Sequence, residues 1–310
     1  MKKQILNGWI IVDKPLGMTS TQVVNKVKWL FRPKKIGHTG TLDPEASGIL
    51  PLALGEATKA VNFMMESTKE YVFTAQWGSS TTTDDAEGDV VEASDSRPTK
   101  DEILALLSDF VGEINQMPPQ FSALKVDGKR AYDLARQGEK VALKSRTVRI
   151  DQLELLEAEK DQAIFRVSCG KGTYVRSIAR DLGVKLGCFA HVIQLRRTKV
   201  GPFGEKDAFS LDFLEEKGHS ARNSEEISTE DVLQGVLLDI RQGLDDIPAL
   251  SVTAPQMALL KNGGFIPRPA NIDEQGVKTG DLIRAECEET LIGFCKVEDE
   301  NLKPVRIFNL

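Results

Sequence analysis

The amino-acid sequence predicts an α+β protein made of a large unit, in which strands and helices are interspersed, and a small β-rich unit at its C-terminal end. The strand patterns at 9–13 and 70–78 are each followed by a helix pattern, but the chain lacks the regular βαβ alternation that predicts a doubly wound sheet. After Pro248 the sequence changes to short strands separated by glycine turns. A length of 310 residues accommodates two domains, predicted at 1–247 and 248–310.

The first fifty-five residues predict a strand, a helix and a loop. Residues 9–13 (Trp-Ile-Ile-Val-Asp) are typical of a strand. Thr19 and Ser20 can cap a helix whose apolar residues recur at i, i+4 and i+7, namely Val23, Val27 and Leu30. The segment 36–55 contains four glycines and two prolines interleaved with apolar residues, which predicts an ordered loop.

Further elements follow from the same two periodicities. Apolar and polar residues alternate over 70–78 and over 162–169, the pattern of half-buried strands. Thr99 and Glu102 form a capping box ahead of an apolar helix pattern. Residues 174–186 predict a helix through four apolar positions, Val175, Ile178, Leu182 and Leu186.

The composition disfavours several classes of protein. The four cysteines show neither CxxC spacing nor a dense framework, so a reduced cytosol is expected and a zinc knuckle is not. The three histidines form no HExxH or HxxxH pair, which disfavours a metal hydrolase or a Ser-His-Asp enzyme. No apolar run approaches the ~18 residues of a membrane span. We therefore expect a cytoplasmic protein with no membrane partner.

The charge is unevenly distributed although the net charge is −6. Three segments are basic. Residues 1–60 carry nine Lys and Arg against four Asp and Glu, residues 116–149 carry eight basic against three acidic residues, and residues 166–206 carry nine basic against two acidic residues. The acidic segments 80–115 (two against ten) and 207–249 (three against eleven) compensate. Because a polyanion responds to the local field, converging basic segments would favour a nucleic-acid partner. The alternative is that these stretches are merely solvated faces.

The densest group of structure-dictating residues is the run GHTGTLDPEASG at 37–48. Pro44 biases Asp43 away from helical φ and ψ and thereby fixes the direction of its carboxylate. A carboxylate on a rigid loop, with polar neighbours that keep it ionised, is what a nucleophile requires. Two alternatives remain open: an Asx-turn in which Asp43 bonds its own backbone, and a glycine-rich phosphate cradle, although GxxxxGK[ST] is absent.

A second group lies at Gly170–Gly183, a glycine-rich turn from strand to helix that presents Tyr174 and Arg176. An arginine near a helix N-terminus could pair with a carboxylate or bind phosphate, or it could be an ordinary surface residue. Tyr71, at the start of its strand, could be a core aromatic. Its functional interpretation is a ring that stacks on a base, with a phenol able to handle a proton.

These segments together resemble the signature of the bacterial tRNA pseudouridine synthase B (TruB) family. The similarity runs in the family's order over about 9–205. It includes DKPLGMTS at 13–20, GHTGTLDPEASGILPLALGEATK at 37–59, KEY at 69–71, TTTDDAEG at 81–88, MPPQFSALK at 117–125, CGKGTYVR at 169–176 and LRRT at 195–198. The tail beyond about 250 is similar to a PUA-type RNA-binding domain through Gly263, Gly280-Asp281 and Leu291-Ile292-Gly293.

The resemblance implies a catalytic domain built on a mixed, largely antiparallel sheet with flanking helices, and it assigns roles to single residues. Asp43 matches the family's catalytic aspartate, Tyr71 its stacking tyrosine and Arg176 the arginine that pairs with the aspartate. Three further positions match residues that shape the nucleotide pocket in the family: His38, Tyr174 and Leu195. Lys14 and Pro15 match a buried pair that supports the active-site loop.

The resemblance also implies partners. The substrate would be the T-loop uridine of tRNA (U55), isomerised without cofactor, metal or guide RNA by a protein expected to be a monomer. The basic insertion at about 116–149 would grip the T-arm, and the C-terminal unit would contact the acceptor end. Candidate RNA contacts are Lys59, Lys125, Lys129, Arg130, Arg196 and Arg197. A guide-dependent synthase is not expected, because the chain starts almost at the first motif.

Several alternatives stay open at this stage. A carboxylate could add to C6 of uracil, capture C1′ or abstract a ribose proton, and the sequence does not choose among these routes. Tyr71 is the candidate base for the C5 proton, although its ordinary pKa of ~10 makes unaided abstraction slow. Two other functions share the residues: a tRNA-binding protein or folding chaperone, and an N-glycosidase that releases the base to water.

Overall fold

The computed structural model describes residues 3–121, 125–126, 129–130, 144–223, 228–269, 272 and 276–310. The strands are β1 Gly8–Lys14, β2 Ile36–His38, β3 Ala46–Leu54, β4 Lys69–Trp77, β5 Ser79–Thr81, β6 Val90–Ala93, β7 Gly112–Gln116, β8 Lys125–Val126, β9 Lys129–Arg130, β10 Arg146–Ala158, β11 Gln162–Cys169, β12 Ala190–Val200, β13 Phe203–Gly204, β14 Phe209–Ser210, β15 Ala249–Ser251, β16 Ile266–Pro267, β17 Leu282–Cys287, β18 Thr290–Val297 and β19 Asn301–Ile307. The helices are α1 Ser20–Phe31, α2 Val61–Glu66, α3 Lys100–Leu106, α4 Val175–Lys185, α5 Leu211–Asn223, α6 Thr229–Val232 and α7 Ala254–Lys261.

A ten-stranded mixed sheet forms the frame of the larger unit. Its main path is β14-β1-β3-β12-β4-β11-β10-β7, with β2 added to β3 and β13 to β12. Among the described pairs of this sheet, β1–β14 and β3–β12 are parallel and the others are antiparallel. The predicted α+β class, with a largely antiparallel sheet and flanking helices, is therefore confirmed.

Two apolar clusters fix the sheet between its helices. Helix α4 packs on β12 and β4, and its Ile178 and Leu182 lie in one buried cluster with Phe73 and Phe165. At the other end, α1 and α5 cover β1 and β3. Thr19 caps helix α1, as predicted, and its side chain accepts from the Gln22 backbone amide as part of a capping box. These contacts place the first turn of α4 beside the β2–β3 loop, because β12 is the parallel neighbour of β3.

One element differs from the sequence prediction. Most of the predicted loop at 36–55 is strand, since β3 runs through it as a central strand that includes Pro51. Proline is unusual there because it donates no ladder hydrogen bond. It is tolerated because β12 pairs only with Ala46–Gly48 and β2 only with Leu52–Leu54, so Pro51 falls between the two partners on that edge.

The β-rich C-terminal unit is a separate five-stranded sheet in the order β15-β17-β18-β19-β16. It does not stand apart from the larger unit, because Phe294 and Phe308 join one buried cluster with Trp9 and Ile11 of β1. The division at 247/248 precedes this sheet, and it stays a prediction. Most of the basic insertion, 122–124, 127–128 and 131–143, lies outside the described residues. Within the described part of the chain, every helix is too short or too polar to cross a membrane.

Candidate active site

A cleft of about 290 Å³ opens between the β2–β3 loop, the start of β4 and the turn that leads into α4. Six of the predicted site residues line it, and they come from four separate stretches of the chain: Asp43, Tyr71, Tyr174, Arg176, Leu195 and Arg197. The sheet order brings these stretches together, because β3, β12 and β4 are adjacent. A volume of this order lies at the small end of the range of ligand pockets.

Asp43 lies on a loop that is clamped from the protein side. The buried Ser20 hydroxyl donates to the Leu42 carbonyl at 3.1 Å and accepts from the Leu42 amide at 2.8 Å. The Asp43 carbonyl accepts from the Ala46 amide at 3.1 Å. The Asp43 side chain is 43% exposed and faces Arg176 rather than its own backbone. The carboxylate is thus held in one direction and remains accessible from the cleft, which does not fit the Asx-turn alternative.

Arg176 lies in the first turn of α4 and is 6% exposed, so the surface alternative for this residue is wrong. Its Nη2 lies 2.9 Å from Asp43 Oδ2, and its Nη1 lies 3.0 Å from Asp85 Oδ2. The guanidinium also donates to the carbonyls of Thr83 at 2.8 Å and Phe121 at 3.0 Å. A cation with this many partners is fixed in place and cannot follow a mobile phosphate.

Asp85 is a site residue that the sequence reasoning did not assign. It is 8% exposed, lies between β5 and β6, and pairs with Nη1 of Arg176, whereas Asp43 pairs with Nη2. Its other oxygen accepts from the Thr83 hydroxyl and from the Glu87 amide. The run of threonines before two aspartates was an available signal, because such short polar residues build tight local hydrogen-bonded turns.

Tyr71 lies on β4 with its neighbours Arg197 and Val167 directly opposite on β12 and β11. Its ring packs against the buried cluster of Phe73 and Phe165 and also lines the cleft, so the core and functional interpretations both apply. Burial raises the pKa of Tyr71, and the nearby Arg197 guanidinium offsets only part of this increase. The phenol is therefore neutral at ordinary pH.

Arg197 does not occupy the position expected of an RNA contact. It is 1% exposed, and its Nε donates to the Ile49 carbonyl at 2.7 Å while Nη2 donates to the Gly40 carbonyl at 3.2 Å. The parallel pairing of β12 with β3 puts it beneath the loop that carries Asp43. Its expected place on the surface is corrected: Arg197 supports this loop from inside.

The other candidate RNA contacts either form ion pairs and hydrogen bonds within the protein or have side chains outside the described residues. Arg196 makes two hydrogen bonds of 2.9 Å to Asp13 and one of 2.7 Å to Glu205. Lys59 lies 2.6 Å from Glu56 and donates to the Ile307 carbonyl at 2.8 Å, which attaches the last strand. Three candidates lie in the β8–β9 hairpin with side chains outside the described residues: Lys125, Lys129 and Arg130.

Lys14 and Pro15 differ from each other in position. Lys14 is completely buried, and its Nζ donates to the carbonyls of Pro15 at 2.8 Å, Met18 at 2.6 Å and Pro44 at 3.2 Å. Burial lowers the pKa of Lys14 to about 8. Pro15 is exposed, so the expectation of a buried pair is wrong for this member. Only Lys14 reaches the Asp43 loop, through Pro44.

The remaining pocket residues are positioned by the backbone. Tyr174 precedes α4, and the Gln116 side chain binds its amide at 2.8 Å and its carbonyl at 3.0 Å. Leu195 pairs with Ala46 and lines the cleft. His38 accepts from the Gly40 amide through Nδ1 at 3.2 Å, and burial lowers its pKa, so the ring is neutral. His38 contacts the loop but does not line the described part of the cleft.

Comparison with known sequences places the chain in a family. A profile described as TruB family pseudouridylate synthase (N terminal domain) matches residues 28–175, and one described as tRNA pseudouridylate synthase B C-terminal domain matches 176–245. A protein named tRNA pseudouridine synthase B from Caulobacter sp. (strain K31) is 46% identical over 100% of this chain and 98% of its own length. One of that name from Ruegeria sp. (strain TM1040) is 45% identical over 99% of this chain and 98% of its own length.

Solved structures support the same assignment. An H/ACA RNP bound to a substrate RNA containing 2′-deoxyuridine includes a chain that superposes with a TM-score of 0.75 at 26% identity, covering 98% of this chain and 85% of that one. A Cbf5-Nop10-Gar1 complex gives a TM-score of 0.74 at 28% identity, with 96% and 83% covered. At 45% identity or more over its full length, the chain belongs to the TruB family of pseudouridylate synthases.

Proposed function

We propose that this chain isomerises the T-loop uridine of tRNA (U55) to pseudouridine, without guide RNA or cofactor. The observation that carries the proposal is the Asp43 carboxylate, which is 43% exposed in the cleft and paired with Arg176 at 2.9 Å beside Tyr71. The names of the bacterial relatives support tRNA as the substrate class. The RNA-guided assembly belongs to the H/ACA relatives named above.

The reaction requires four events at one nucleoside. The N1–C1′ bond breaks, the base rotates, C5 bonds to C1′, and C5 loses a proton while N1 takes one up. Asp43 acts as the carboxylate that adds to C6, captures C1′ or abstracts a ribose proton, and Arg176 pairs with it and keeps it oriented until it reacts. Because burial raises the pKa of Tyr71, stacking on the base is its primary role, and removal of the C5 proton by phenolate is secondary.

The target uridine is flipped out of the folded T-loop to reach the cleft, at a cost of a few kcal/mol. Tyr71 and Leu195 supply the flat and apolar surfaces that the flipped nucleoside contacts. The 1–247 unit performs the chemistry, the basic insertion at about 116–149 recognises the T-arm, and the 248–310 unit contacts the acceptor end. The protein works as a monomer in the cytoplasm.

The test is Asp43→Asn, which preserves shape and removes the charge. We expect tritium release from C5-labelled uridine tRNA to fall by more than about 1,000-fold while tRNA binding stays within a few-fold. Asp161→Asn, which alters an exposed carboxylate paired with Arg97, is the matched control and should leave both unchanged. Turnover near wild type in Asp43→Asn would overturn the nucleophile assignment.

Product analysis separates the competing functions. An isomerase leaves the mass of the tRNA unchanged and yields pseudouridine, whereas an N-glycosidase releases free uracil. A binding protein or chaperone without chemistry would bind tRNA and release no tritium. Free uracil, or the absence of tritium release from a folded protein that binds tRNA, would therefore contradict the proposal.

A further inference from the structure

Arg146 is a cleft residue for which neither the sequence analysis nor the proposed chemistry provides a role. It is the first residue of β10 and lies opposite Gln116 of β7. Its guanidinium carbon lies 4.7 Å from the centroid of the Tyr174 ring, and Nη2 donates to the Gly172 carbonyl. The side chain is thus held against the cleft wall by a cation–π contact and one hydrogen bond.

The guanidinium retains unused donors. Its Nε is buried and has no hydrogen-bond partner among the described residues. Within the same described set, Nη1 also lacks a partner, so Nη2 alone is engaged. Buried polar groups without partners are uncommon in native structures, and each calls for an explanation. For a residue that lines a cleft, the direct explanation is a ligand that supplies the acceptor.

The charge of Arg146 is also uncompensated at short range. Two other arginines of these strands, Arg149 on β10 and Arg166 on β11, pair with Asp151 at 2.9 Å and Glu154 at 3.1 Å. No carboxylate of the described residues lies within 4.0 Å of Arg146. A cation that faces a cleft with open donors and without a carboxylate partner is suited to an external anion.

We propose that Arg146 binds a phosphate of the RNA backbone at the mouth of the cleft, on a linkage that flanks the target uridine. Two adjacent N–H groups of the planar guanidinium form a fork, because only one of the two Nη2 hydrogens is engaged, and such a fork matches two oxygens of one phosphodiester. Stacking on Tyr174 fixes the plane of that fork, and Gly172 fixes its rotation. This inference rests on the proposed function, because it requires an RNA substrate.

Arg146→Gln tests the contact, with Arg166→Gln as the matched control because it removes a paired arginine from the next strand. We expect the dissociation constant for tRNA to rise about tenfold or more in Arg146→Gln, the size of a lost charge-assisted hydrogen bond. The slope of log K against log salt should fall by about one, and the single-turnover rate at saturating tRNA should stay within about threefold. Arg166→Gln should change none of these.

A purely structural role for Arg146 gives a different pattern. If the arginine only supports Tyr174, the saturated rate falls while the salt slope stays unchanged, and this result would overturn the proposal. Arg146→Lys covers the case of a poorly folded glutamine variant, because it keeps the charge but loses the fork. We expect it to keep the salt slope and to bind between wild type and Arg146→Gln.

A modified substrate locates the phosphate. Methylphosphonate linkages placed singly on either side of the target uridine remove one backbone charge each. One of them should weaken wild-type binding about as much as Arg146→Gln does and have no further effect on that variant. If both linkages weaken the two proteins equally, Arg146 does not bind there. Wild type that releases no tritium from unmodified tRNA would instead indicate that the proposed function fails.

Discussion

The guanidinium of Arg176 holds the carboxylate of Asp43 at 2.9 Å, and the two partners differ sharply in exposure, at 7% and 43% of their side chains. The cation is buried in the first turn of α4, whereas the anion is exposed in the cleft. The second carboxylate on Arg176, that of Asp85, is 11% exposed and lies on the protein side. Asp43 can therefore react without displacing the group that orients it.

Asp85 orients Arg176, so removing its charge should affect the rate more than the affinity. We expect Asp85→Asn to lower single-turnover tritium release about 10–100-fold with tRNA binding unchanged within a few-fold. Asp84→Asn is the control, because Asp84 lies in the same loop as Asp85 but pairs with Arg180 at 2.9 Å. Among the described ion pairs Asp84 does not contact Arg176. Equal rate losses in both variants would mean that the whole loop was disturbed.

Gly48 provides the space in which β3 approaches β12. Its φ is +104°, and a Cβ there would lie 2.2 Å from the Arg197 carbonyl oxygen. Because that oxygen belongs to the backbone of the adjacent strand, Gly48→Ala should destabilise the protein by about 3 kcal/mol or more. Gly187→Ala has φ +69° and no neighbour within 4 Å, so it should lose only about 1 kcal/mol. Denaturant unfolding measures both, and equal losses would contradict the packing argument.

Lys14 connects three carbonyls beneath the catalytic loop. Lys14→Met keeps the length of the side chain and leaves those carbonyl oxygens without their donor, so we expect a loss of about 1–3 kcal/mol in the free energy of unfolding. Through Pro44 the change should also lower the turnover rate. Thermal unfolding and single-turnover assays check the two effects, and an unchanged melting temperature would show that Lys14 does not support the loop.

The pKa of Lys14 predicts a pH dependence of stability. Burial lowers this pKa from 10.5 to about 8, so the unfolded chain binds the proton more tightly than the folded one. Below pH 8 Lys14 is protonated in both states, and folding bears the full cost of burying its charge. Between about pH 8 and 10.5 Lys14 is protonated only in the unfolded state, so the free energy of unfolding rises with pH. Relative to Lys14→Met, wild type should gain stability over this window, by an amount on the order of 3 kcal/mol. A difference that is flat or falls with pH would contradict the sign.

The raised pKa of Tyr71 constrains its part in the chemistry. Since burial raises the pKa of this phenol above its ordinary value of 10.0, it stays neutral between pH 7 and 9. We expect the single-turnover rate to be flat over this range when the chemical step is measured at saturating tRNA. A tenfold rise per pH unit that disappears in Tyr71→Phe would instead indicate that phenolate removes the C5 proton in the slow step.

Some features were predictable because they depend on neighbours in the chain. The helix cap at Thr19 and the strand at 9–13 follow from local periodicity and hydrogen bonding. The direction of Asp43 was predictable from Pro44 for the same reason. By contrast, β3 was mistaken for a loop, because Gly48 and Pro51 are unfavourable within strands unless the partner strands leave gaps at those positions.

The arginines show the same division most clearly. Arg176, Arg196 and Arg197 are equally basic in the sequence, yet one pairs with Asp43 in the cleft, one forms a surface network and one is buried under the loop. Charge and motif identified the loop, the acid and the family, because these depend on residue type and spacing along the chain. Only the tertiary structure decided which of these cations is buried and which carboxylate it pairs with. It also decided which donors stay without a partner, as in Arg146, because strands distant in sequence set those contacts.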